Sequence, residues 1–383
     1  MLPLKIIFMF NKLRQAFKLN YETLNRLEIK KAAVLANYEA LKKQQPEAAI
    51  FPVLKSNAYG HGLKELAQIL NETDTPIVAV DSFPEAQIVK KYFKRDILIL
   101  SRMPRKVYTY ATSKRYQFCV ADEAVLSVLP RGAKIHLFLN TGMNREGIKD
   151  LPGFLKNNQK KLAQLKIIGL CSHLASADKV CPENEAQLEK FLEALKFLER
   201  AGQRPRWIHL GNSAGIFTLK NYKLTAFRSG LALYGYNPLS KDHPKFKEVA
   251  SLLQPALELY SRVVAQQKVS PGEKVSYNGS YLASAEENIA VIPFGYYEGL
   301  PRRLSDQAIF YCEKERLLVA GKICMNSSCL ASGVRSLPLG AEVQLISANS
   351  AQSNSLVNLA AQAEMIEYEF LTGLKANIRR IIV

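Results

Sequence analysis

Lys55 directly follows a short apolar stretch, and a lysine in this position could take part in covalent chemistry. The apolar stretch covers residues 51–54, and Lys55 follows it. At the end of a buried strand, desolvation lowers the pKa of an amine, and the neutral amine can form a Schiff base with a carbonyl compound. From position alone, a surface lysine that extends its charged end into water is the more common explanation. The surrounding residues have to decide between these two interpretations.

Short apolar runs that alternate with amphipathic stretches would position this lysine. Eight such runs cover residues 50–54, 77–80, 97–100, 118–121, 135–139, 167–171, 207–210 and 226–233. A helical pattern precedes the first run at 29–42 and is clearest over 183–201, where leucine and phenylalanine recur every three or four residues. Ser82 and Glu85 form a capping box that opens another helix. Eight βα units predict an α/β fold with a closed (β/α)8, TIM-like barrel, whose functional side chains follow the carboxyl ends of the strands.

The sequence pattern changes after Tyr236. Residues 237–246 are rich in Pro, Lys and Asp and are typical of a linker. From residue 256 onward, short β-like runs at 257–264, 274–281, 289–293, 308–311, 317–320 and 342–346 predict a C-terminal all-β domain. We therefore expect a barrel over 21–250, a β domain over 251–383, and an N-terminal segment, 1–20, that packs on the β domain.

The charge of the chain is strongly basic. Its 383 residues include 52 Lys and Arg against 34 Asp and Glu, which gives a formal net charge of +18. A basic balance favours contact with nucleic acid. The basic clusters, however, lie on the solvent sides of predicted helices and loops, without aromatic pairs spaced for base stacking. The charge therefore indicates surface solubility rather than nucleic-acid binding.

Cysteine and histidine spacing indicates no metal site and no disulfide framework. The six cysteines include no CxxC pair, and the five histidines include no HxxxH or HxH pair. This usage suits a reducing cytoplasm. No apolar run approaches the roughly 20 residues that a membrane span needs, so we expect no membrane partner.

The eight residues that begin at Lys55 resemble the pyridoxal-phosphate-binding signature of alanine racemases, which are fold type III enzymes. The segment reads KSNAYGHG here and KANAYGHG in the family, so seven of eight positions agree. Further matches follow in the family's order: TGMNREG from Thr141, SHLA from Ser172, HLGNSA from His209, RSG from Arg228, LYG from Leu233, VSY ending at Tyr277, PFGY ending at Tyr296, GKICM ending at Met325, and YE from Tyr368. The resemblance extends from about residue 20 to the C-terminus, and it implies a cofactor-binding barrel in a head-to-tail homodimer.

The resemblance implies two catalytic residues, Lys55 and Tyr277. Lys55 would bond covalently to pyridoxal phosphate and act as one acid–base group at the Cα of the bound amino acid. Tyr277 of the partner subunit would be the other group. Racemisation removes a proton from one face of a planar carbanion and delivers a proton to the opposite face, so two bases are chemically reasonable. Without the resemblance, Tyr277 would be interpreted as a strand tyrosine in the β core.

Arg228 matches the family residue that contacts the pyridine nitrogen of the cofactor. An arginine donates hydrogen bonds but keeps its proton. The ring nitrogen would therefore stay largely unprotonated and be a weaker electron sink than one facing a carboxylate. We expect a short-lived carbanion that is reprotonated before side reactions occur.

The remaining matches supply binding groups for the cofactor and the substrate. The phosphate would be held by the hydroxyls of Tyr59, Tyr368 and Ser213 and by backbone N–H groups near Gly230 and Leu231. Ser213 begins a predicted helix, 213–219, and a helix N-terminus is a favourable phosphate site; from composition alone it would be an ordinary N-cap. His173 would pack against the cofactor ring. The substrate carboxylate would be bound by Arg145 and by the backbone of Met325 of the partner subunit.

Five positions depart from the family pattern. Phe138 stands where many members have a lysine, carbamylated in some, whose negative charge orients the arginine. Asparagines replace aspartate at Asn140 and Asn326, Ser229 replaces proline, and Asn278 replaces glycine. We hypothesise that neutral amides or an anion hold Arg145 instead, which leaves the fold and cofactor site intact but alters turnover or selectivity.

The resemblance implies a pyridoxal-phosphate-dependent isomerase that racemises alanine and supplies D-alanine for peptidoglycan. A racemase of broader substrate range on the same scaffold is the alternative, because the carboxylate site is altered. Tyr277 argues against a decarboxylase. A further alternative, from another class, is a catalytically weakened protein that holds the cofactor or binds nucleic acid.

Overall fold

The structure is a computed structural model that describes residues 23–220 and 223–383. The predicted N-terminal segment, 1–20, lies outside the described residues. Within the described part of the chain, none of the helices has the length and apolar character to cross a membrane.

The first described strand, β1 (Arg26–Ile29), belongs to the sheet of the C-terminal region. Eight parallel strands follow it. They are β2 (Ala49–Pro52), β3 (Ile77–Val80), β4 (Asp96–Ile99), β5 (Tyr116–Val120), β6 (Lys134–Phe138), β7 (Lys166–Cys171), β8 (Trp207–His209) and β9 (Ala226–Ser229). Strands β3 to β8 form one continuous sheet, and β2 pairs with β9. The N–H of Leu54 donates to Ala79 O at 2.7 Å, and the N–H of Thr225 donates to Ile208 O at 2.9 Å. These bonds join the two sheets at both edges, so the predicted barrel is confirmed.

The last predicted barrel run, 226–233, was too long. Strand β9 ends at Ser229, and the chain continues as a 3-10 helix, Leu231–Tyr234. Gly230 breaks the strand with φ −101° and ψ −100°, a combination outside the regions that strands use.

Helices connect the barrel strands. They are Leu63–Ile69, Phe83–Tyr92, Arg105–Tyr110, Glu123–Val128, Leu151–Asn157, Gln159–Leu162, Pro182–Arg200 and Ser213–Thr218; Lys31–Gln44 precedes the barrel and Phe246–Leu252 follows it. Residues 55–59 form a left-handed turn rather than an ordinary helix. The capping box at Ser82 and Glu85 is present, and the long helix predicted at 183–201 lies at Pro182–Arg200. The helix predicted at 29–42 starts later, because the residues before Lys30 form β1.

The C-terminal region is built on an antiparallel sheet. Its strands are β10 (Leu257–Arg262), β11 (Ala265–Val269), β12 (Lys274–Val275), β13 (Tyr281–Leu282), β14 (Glu287–Ile292), β15 (Ile309–Cys312), β16 (Glu315–Val319), β17 (Ser328–Ala331), β18 (Glu342–Ile346) and β19 (Arg379–Ile382). The main sheet has the order β11-β14-β17-β16-β15-β18-β10-β1-β19. Two short helices that the sequence pattern did not predict, Leu356–Gln362 and Glu367–Gly373, follow β18.

Strand β1 connects the two parts of the molecule. It pairs antiparallel with β10 and parallel with β19, although it precedes the barrel in the chain. The division into a barrel over 21–250 and a β domain over 251–383 remains a prediction. Strand β1 lies within 21–250 but pairs with strands of 251–383. Buried side chains of the barrel and the β sheet form one continuous hydrophobic cluster, which holds the last helices against the barrel.

Candidate active site

The turn after β2 presents Lys55 in an unusual backbone conformation. The four residues 56–59 all have left-handed φ values, between 51° and 55°, and Gly60 continues with φ 79°. Left-handed conformations cost non-glycine residues about 1–2 kcal/mol each. Such strain persists where surrounding contacts hold the backbone, which is common at functional sites.

Side chains from distant segments and from the turn itself hold this turn in place. Oε1 of Glu85 accepts the N–H of Ser56 at 2.7 Å, and Oδ1 of Asn57 accepts the N–H of Leu63 at 3.0 Å. Nε of Arg380 donates to Gly60 O at 2.8 Å. A Cβ at Gly60 would lie 2.1 Å from the carbonyl oxygen of Leu371. The C-terminal helix and β19 therefore fix the position of Lys55.

A cavity of about 1020 Å³ opens at the carboxyl end of the barrel. Nine of the eleven predicted site residues line it: Lys55, Tyr59, Arg145, His173, Ser213, Arg228, Gly230, Leu231 and Tyr368. The other two, Tyr277 and Met325, do not line it. The structure thus brings the predicted cofactor groups of one chain together.

A narrow polar cradle lies beside β9. Oγ of Ser213 accepts the N–H of Gly230 at 2.8 Å and the N–H of Ala232 at 3.3 Å. A Cβ at Gly230 would lie 2.5 Å from the hydroxyl oxygen of Tyr59, so only glycine leaves this space open. The rings of Tyr59 and Tyr368 lie 5.8 Å apart between centroids. Hydroxyls and backbone N–H groups therefore converge on one small region, as an oxyanion ligand requires.

Ser213 is not the N-cap of its helix, contrary to the interpretation from composition. Asn212 is the N-cap, and its Oδ1 accepts the N–H of Gly215 at 3.1 Å. Ser213 is the first helical residue, which leaves its hydroxyl free to face Gly230.

Arg228 lies buried under the cavity among neutral acceptors. Its Nη2 donates to Ser172 O at 2.6 Å, and its Nη1 donates to His209 O at 2.9 Å and to Nδ1 of His209 at 2.6 Å. Among the described residues, no ion pair to an acidic side chain is present for this guanidinium. Burial lowers the pKa of Arg228. His173 lines the cavity within 3.2 Å of Nη2, and burial, with the charges of Arg228, Arg145 and Lys55, lowers the pKa of His173 to about 3.

A chain of hydrogen bonds runs from Arg228 down through the barrel. Nε2 of His209 lies 2.7 Å from Nδ1 of His136, and Nε2 of His136 lies 2.7 Å from Oε1 of Gln117. The amide of Gln117 then donates to Asp96 at 2.6 Å. Because Arg228 can only donate, Nδ1 of His209 accepts, and each following ring donates through Nε2. Arg228 thereby determines the tautomer of both histidines.

The sequence analysis did not predict these hydrogen bonds across the barrel interior, although the polar residues of the strands indicate them. Gln117, His136 and His209 lie in strands whose other residues are mostly apolar. A buried polar side chain in such a strand needs a partner, so three of them predict contacts across the barrel interior.

The buried histidines predict that acid lowers stability. Burial lowers the pKa of His136 to about 3 and that of His61 to about 4, whereas unfolded histidine titrates near 6.5. The unfolded chain therefore binds more protons between those values, and the free energy of unfolding falls as the pH falls below about 6.5. Each such histidine should remove about 2 kcal/mol between pH 7.5 and pH 5. Urea unfolding at fixed protein concentration measures this difference.

His136→Gln is the control for this measurement, since glutamine can hydrogen-bond to the same neighbours without titrating. We expect its loss of stability between the two pH values to be about 2 kcal/mol smaller. An equal loss in both proteins would show that His136 does not cause the acid sensitivity.

The loop that carries Arg145 explains one departure from the family pattern. Oδ1 of Asn140 accepts the N–H groups of Gly142 at 3.1 Å and Asn144 at 3.2 Å. An amide oxygen serves this role as an aspartate would. Oε1 of Glu146 accepts from Nε of Arg145 at 3.2 Å and from its Nη2 at 3.1 Å.

Tyr277 and Met325 lie together on the surface of the β sheet region. Their exposed fractions are 65 % and 55 %. The predicted strand 274–281 is interrupted here, because Ser276 has φ 64° and Asn278 has φ 62°. Asparagine tolerates this left-handed conformation better than most residues, which accounts for its presence where the family has glycine. Oγ of Ser276 donates to Lys322 O at 2.6 Å, and this bond ties the tyrosine turn to the loop of Met325.

Two family models match this chain, one over the barrel and one over the C-terminal region. The family model for the alanine racemase N-terminal domain matches residues 29–238, and that for the alanine racemase C-terminal domain matches residues 256–382. The alanine racemase of Citrifermentans bemidjiense is 32 % identical over 375 residues, covering 93 % of this chain and 97 % of the relative.

Solved structures agree over nearly the whole chain. The alanine racemase of D-cycloserine-producing Streptomyces lavendulae has a TM-score of 0.85 at 26 % identity, covering 95 % of this chain and 98 % of that one. The Bacillus anthracis alanine racemase with bound L-Ala-P has a TM-score of 0.85 at 28 % identity, covering 95 % and 96 %. The fold, the site and these relatives define an isomerase of the amino-acid racemase class. The chain belongs to the alanine racemase family.

Proposed function

We propose that the protein interconverts L-alanine and D-alanine with pyridoxal phosphate bound at the carboxyl end of the barrel. The observation that carries this proposal is the cavity in which Lys55, Arg145, Arg228 and the Ser213–Gly230 cradle meet. The family relationship makes alanine the expected substrate. A broader range of amino acids on the same scaffold is the alternative outcome.

The residues present fit pyridoxal phosphate. Lys55 is the amine that would bond to the cofactor's aldehyde. The hydroxyls of Tyr59, Tyr368 and Ser213 and the backbone near Gly230 would hold its phosphate. The space that a Cβ at Gly230 would fill supports this assignment. Bound here, the cofactor supplies an electron sink that acidifies the Cα–H bond of an amino acid.

Arg228 would face the pyridine nitrogen, with His173 against the ring. The Arg228 guanidinium keeps its proton and is held by backbone carbonyls of Ser172 and His209. It can therefore stabilise the ring nitrogen by hydrogen bonding without protonating it. The hydrogen bonds through His209, His136 and Gln117 reach a carboxylate only at Asp96, so the direct partners that orient the guanidinium are neutral.

The proton transfers would belong to two side chains on opposite faces of Cα. The amine of Lys55 removes or returns the proton on one face. The hydroxyl of Tyr277 of the partner subunit does so on the other, and Arg145 holds the substrate carboxylate so that Cα lies between them. Two positioned acid–base groups are what inversion at carbon requires.

A head-to-tail homodimer completes the site in this proposal. Tyr277 and Met325 are exposed in one chain and do not line its own cavity. We infer that they enter the cavity of a partner. The D-alanine formed would supply peptidoglycan synthesis in the cytoplasm.

The test of the proposed function is proton exchange in deuterated water. Purified protein, pyridoxal phosphate and L-alanine are combined, loss of the Cα–H signal is followed by NMR, and enantiomers are separated by chiral chromatography. Loss of the signal together with D-alanine formation is the expected result. Racemisation of several other amino acids of a panel as well as alanine would support the broader-range alternative. Racemisation of other amino acids without alanine would overturn alanine as the substrate. Absence of both with every amino acid would overturn racemisation.

A further inference from the structure

The arginine expected to bind the substrate carboxylate is paired along one edge only. Nε and Nη2 of Arg145 both donate to the single oxygen Oε1 of Glu146, at 3.2 and 3.1 Å. A guanidinium has five N–H groups in a planar fork. The Glu146 pair uses the side edge of the fork, so the end edge formed by Nη1 and the second proton of Nη2 remains available for a bidentate carboxylate.

The residues around this pair supply no other charged partner for Arg145 from strand β6. Both residues line the main cavity, and both also line a smaller recess with Phe138 and His173. A Cβ at Gly147 would lie 2.9 Å from Cδ1 of Phe138, so the phenyl ring packs directly against the backbone after Glu146. The ring occupies the place from which a charged side chain on β6 could reach Arg145.

Within the described part of the chain, the other two acids that line the cavity, Asp81 and Glu369, form no ion pair with Arg145. Asp81 accepts from the hydroxyl of Ser101 at 2.8 Å, and among the described ion pairs that of Arg145 is with Glu146.

We propose that Glu146 is a positioning residue that holds the Arg145 guanidinium with its end edge free to bind the carboxylate of the amino-acid substrate. The proposal rests on the proposed function and deepens it. In this chain, the carboxylate next to the arginine supplies, from the loop itself, the negative charge that Phe138 cannot supply from β6. It also specifies which of the hypothesised partners holds Arg145: an anion rather than a neutral amide.

Removal of the pair should affect binding more than turnover. More than half of the Arg145 side chain is exposed in a single chain, at 56 %, and ordering a long side chain on binding costs about 0.5–1.5 kcal/mol. The pair with Glu146 orders the Arg145 side chain before the substrate binds, so this cost does not weaken substrate binding. Because the carboxylate contact is the same in the ground state and in the transition state, its loss raises KM and leaves kcat nearly unchanged.

The test compares Glu146→Ala with Glu146→Gln and Glu146→Asp. In the Ala variant, KM for L-alanine should rise about 3- to 10-fold, with kcat and cofactor absorption little changed. The Gln variant keeps an acceptor oxygen and should fall between Ala and the unmodified protein, and the Asp variant should recover part of the affinity. Glu189→Gln is the matched control, because it removes an exposed carboxylate outside the cavity. An unchanged or lower KM in Glu146→Ala would overturn the proposal.

A binding measurement separates this proposal from the proposed function. Propionate carries the carboxylate but no amino group, and its dissociation constant with the cofactor-loaded protein is measured by ligand-observed NMR. We expect the same 3- to 10-fold weakening, roughly, in Glu146→Ala. If the unmodified protein does not racemise alanine but binds propionate more tightly than the variant, the proposed function fails and the role of Glu146 stands. Equal propionate affinity in an active enzyme would overturn the role of Glu146 alone.

Discussion

Replacing Tyr277 with phenylalanine is expected to lower alanine racemisation by about 10²- to 10⁴-fold, the usual contribution of a general acid–base group. The substitution removes one hydroxyl oxygen from a side chain that is 65 % exposed in a single chain, so the fold should be retained. Chiral chromatography of the reaction with L-alanine measures the loss.

The Tyr277→Phe substitution should also affect Cα-proton exchange in one enantiomer of alanine more than in the other. Lys55 remains in place and can still exchange the Cα proton of the enantiomer that faces it. In deuterated water, one enantiomer of alanine should therefore lose its Cα–H signal at a substantial rate while the other does not. Tyr110→Phe is the matched control, since Tyr110 is 71 % exposed on a barrel helix. Equal retention or equal loss of exchange for both enantiomers would contradict the assignment of Tyr277 to one face.

Lys55→Ala is expected to have the largest effect of any single substitution in this chain. In the proposed mechanism this substitution removes an acid–base group and also the amine that would bond to the cofactor, so racemisation should fall by about 10⁴-fold or more. The polar cradle at Ser213 and Gly230, which we propose holds the phosphate, is unchanged, and the variant should still bind pyridoxal phosphate, without a covalent bond.

Borohydride reduction followed by peptide mass spectrometry checks this expectation. In the unmodified protein the cofactor should be fixed on Lys55, and in Lys55→Ala it should be released on denaturation. Lys64→Ala, which removes a nearby cation from the helix Leu63–Ile69, should behave like the unmodified protein. Cofactor fixed on a different lysine would refute the role of Lys55.

The barrel was predictable because its strands are buried on both sides. Runs such as 77–80 and 135–139 are almost wholly apolar, and they are separated by helical periodicity, so both the number and the order of the strands follow from the pattern. The C-terminal region was less predictable at its turns. A left-handed residue such as Ser276 has no reliable sequence signal, so the run 274–281 was interpreted as one strand.

Contacts between distant segments account for the parts of the site that the sequence did not predict. The contacts of Arg380 and Leu371 with Gly60, in the turn after Lys55, join residues more than 300 positions apart. The pairing of β1 with β10 and β19 likewise depends on where the chain ends meet. The motifs identified the individual groups, whereas their hydrogen-bond partners, including Glu146 for Arg145, became visible only in three dimensions.

The most direct test of the composite site is the activity of a mixed dimer made from Lys55→Ala and Tyr277→Phe chains. The two chains are co-expressed with different tags, and the dimer carrying both tags is purified. If each cavity takes Tyr277 of the partner subunit, one of its two sites has both catalytic groups, and about half of the unmodified activity should return. If Lys55 and Tyr277 act within one chain, both sites lack a group, and activity no higher than that of the two inactive homodimers would contradict the shared active site.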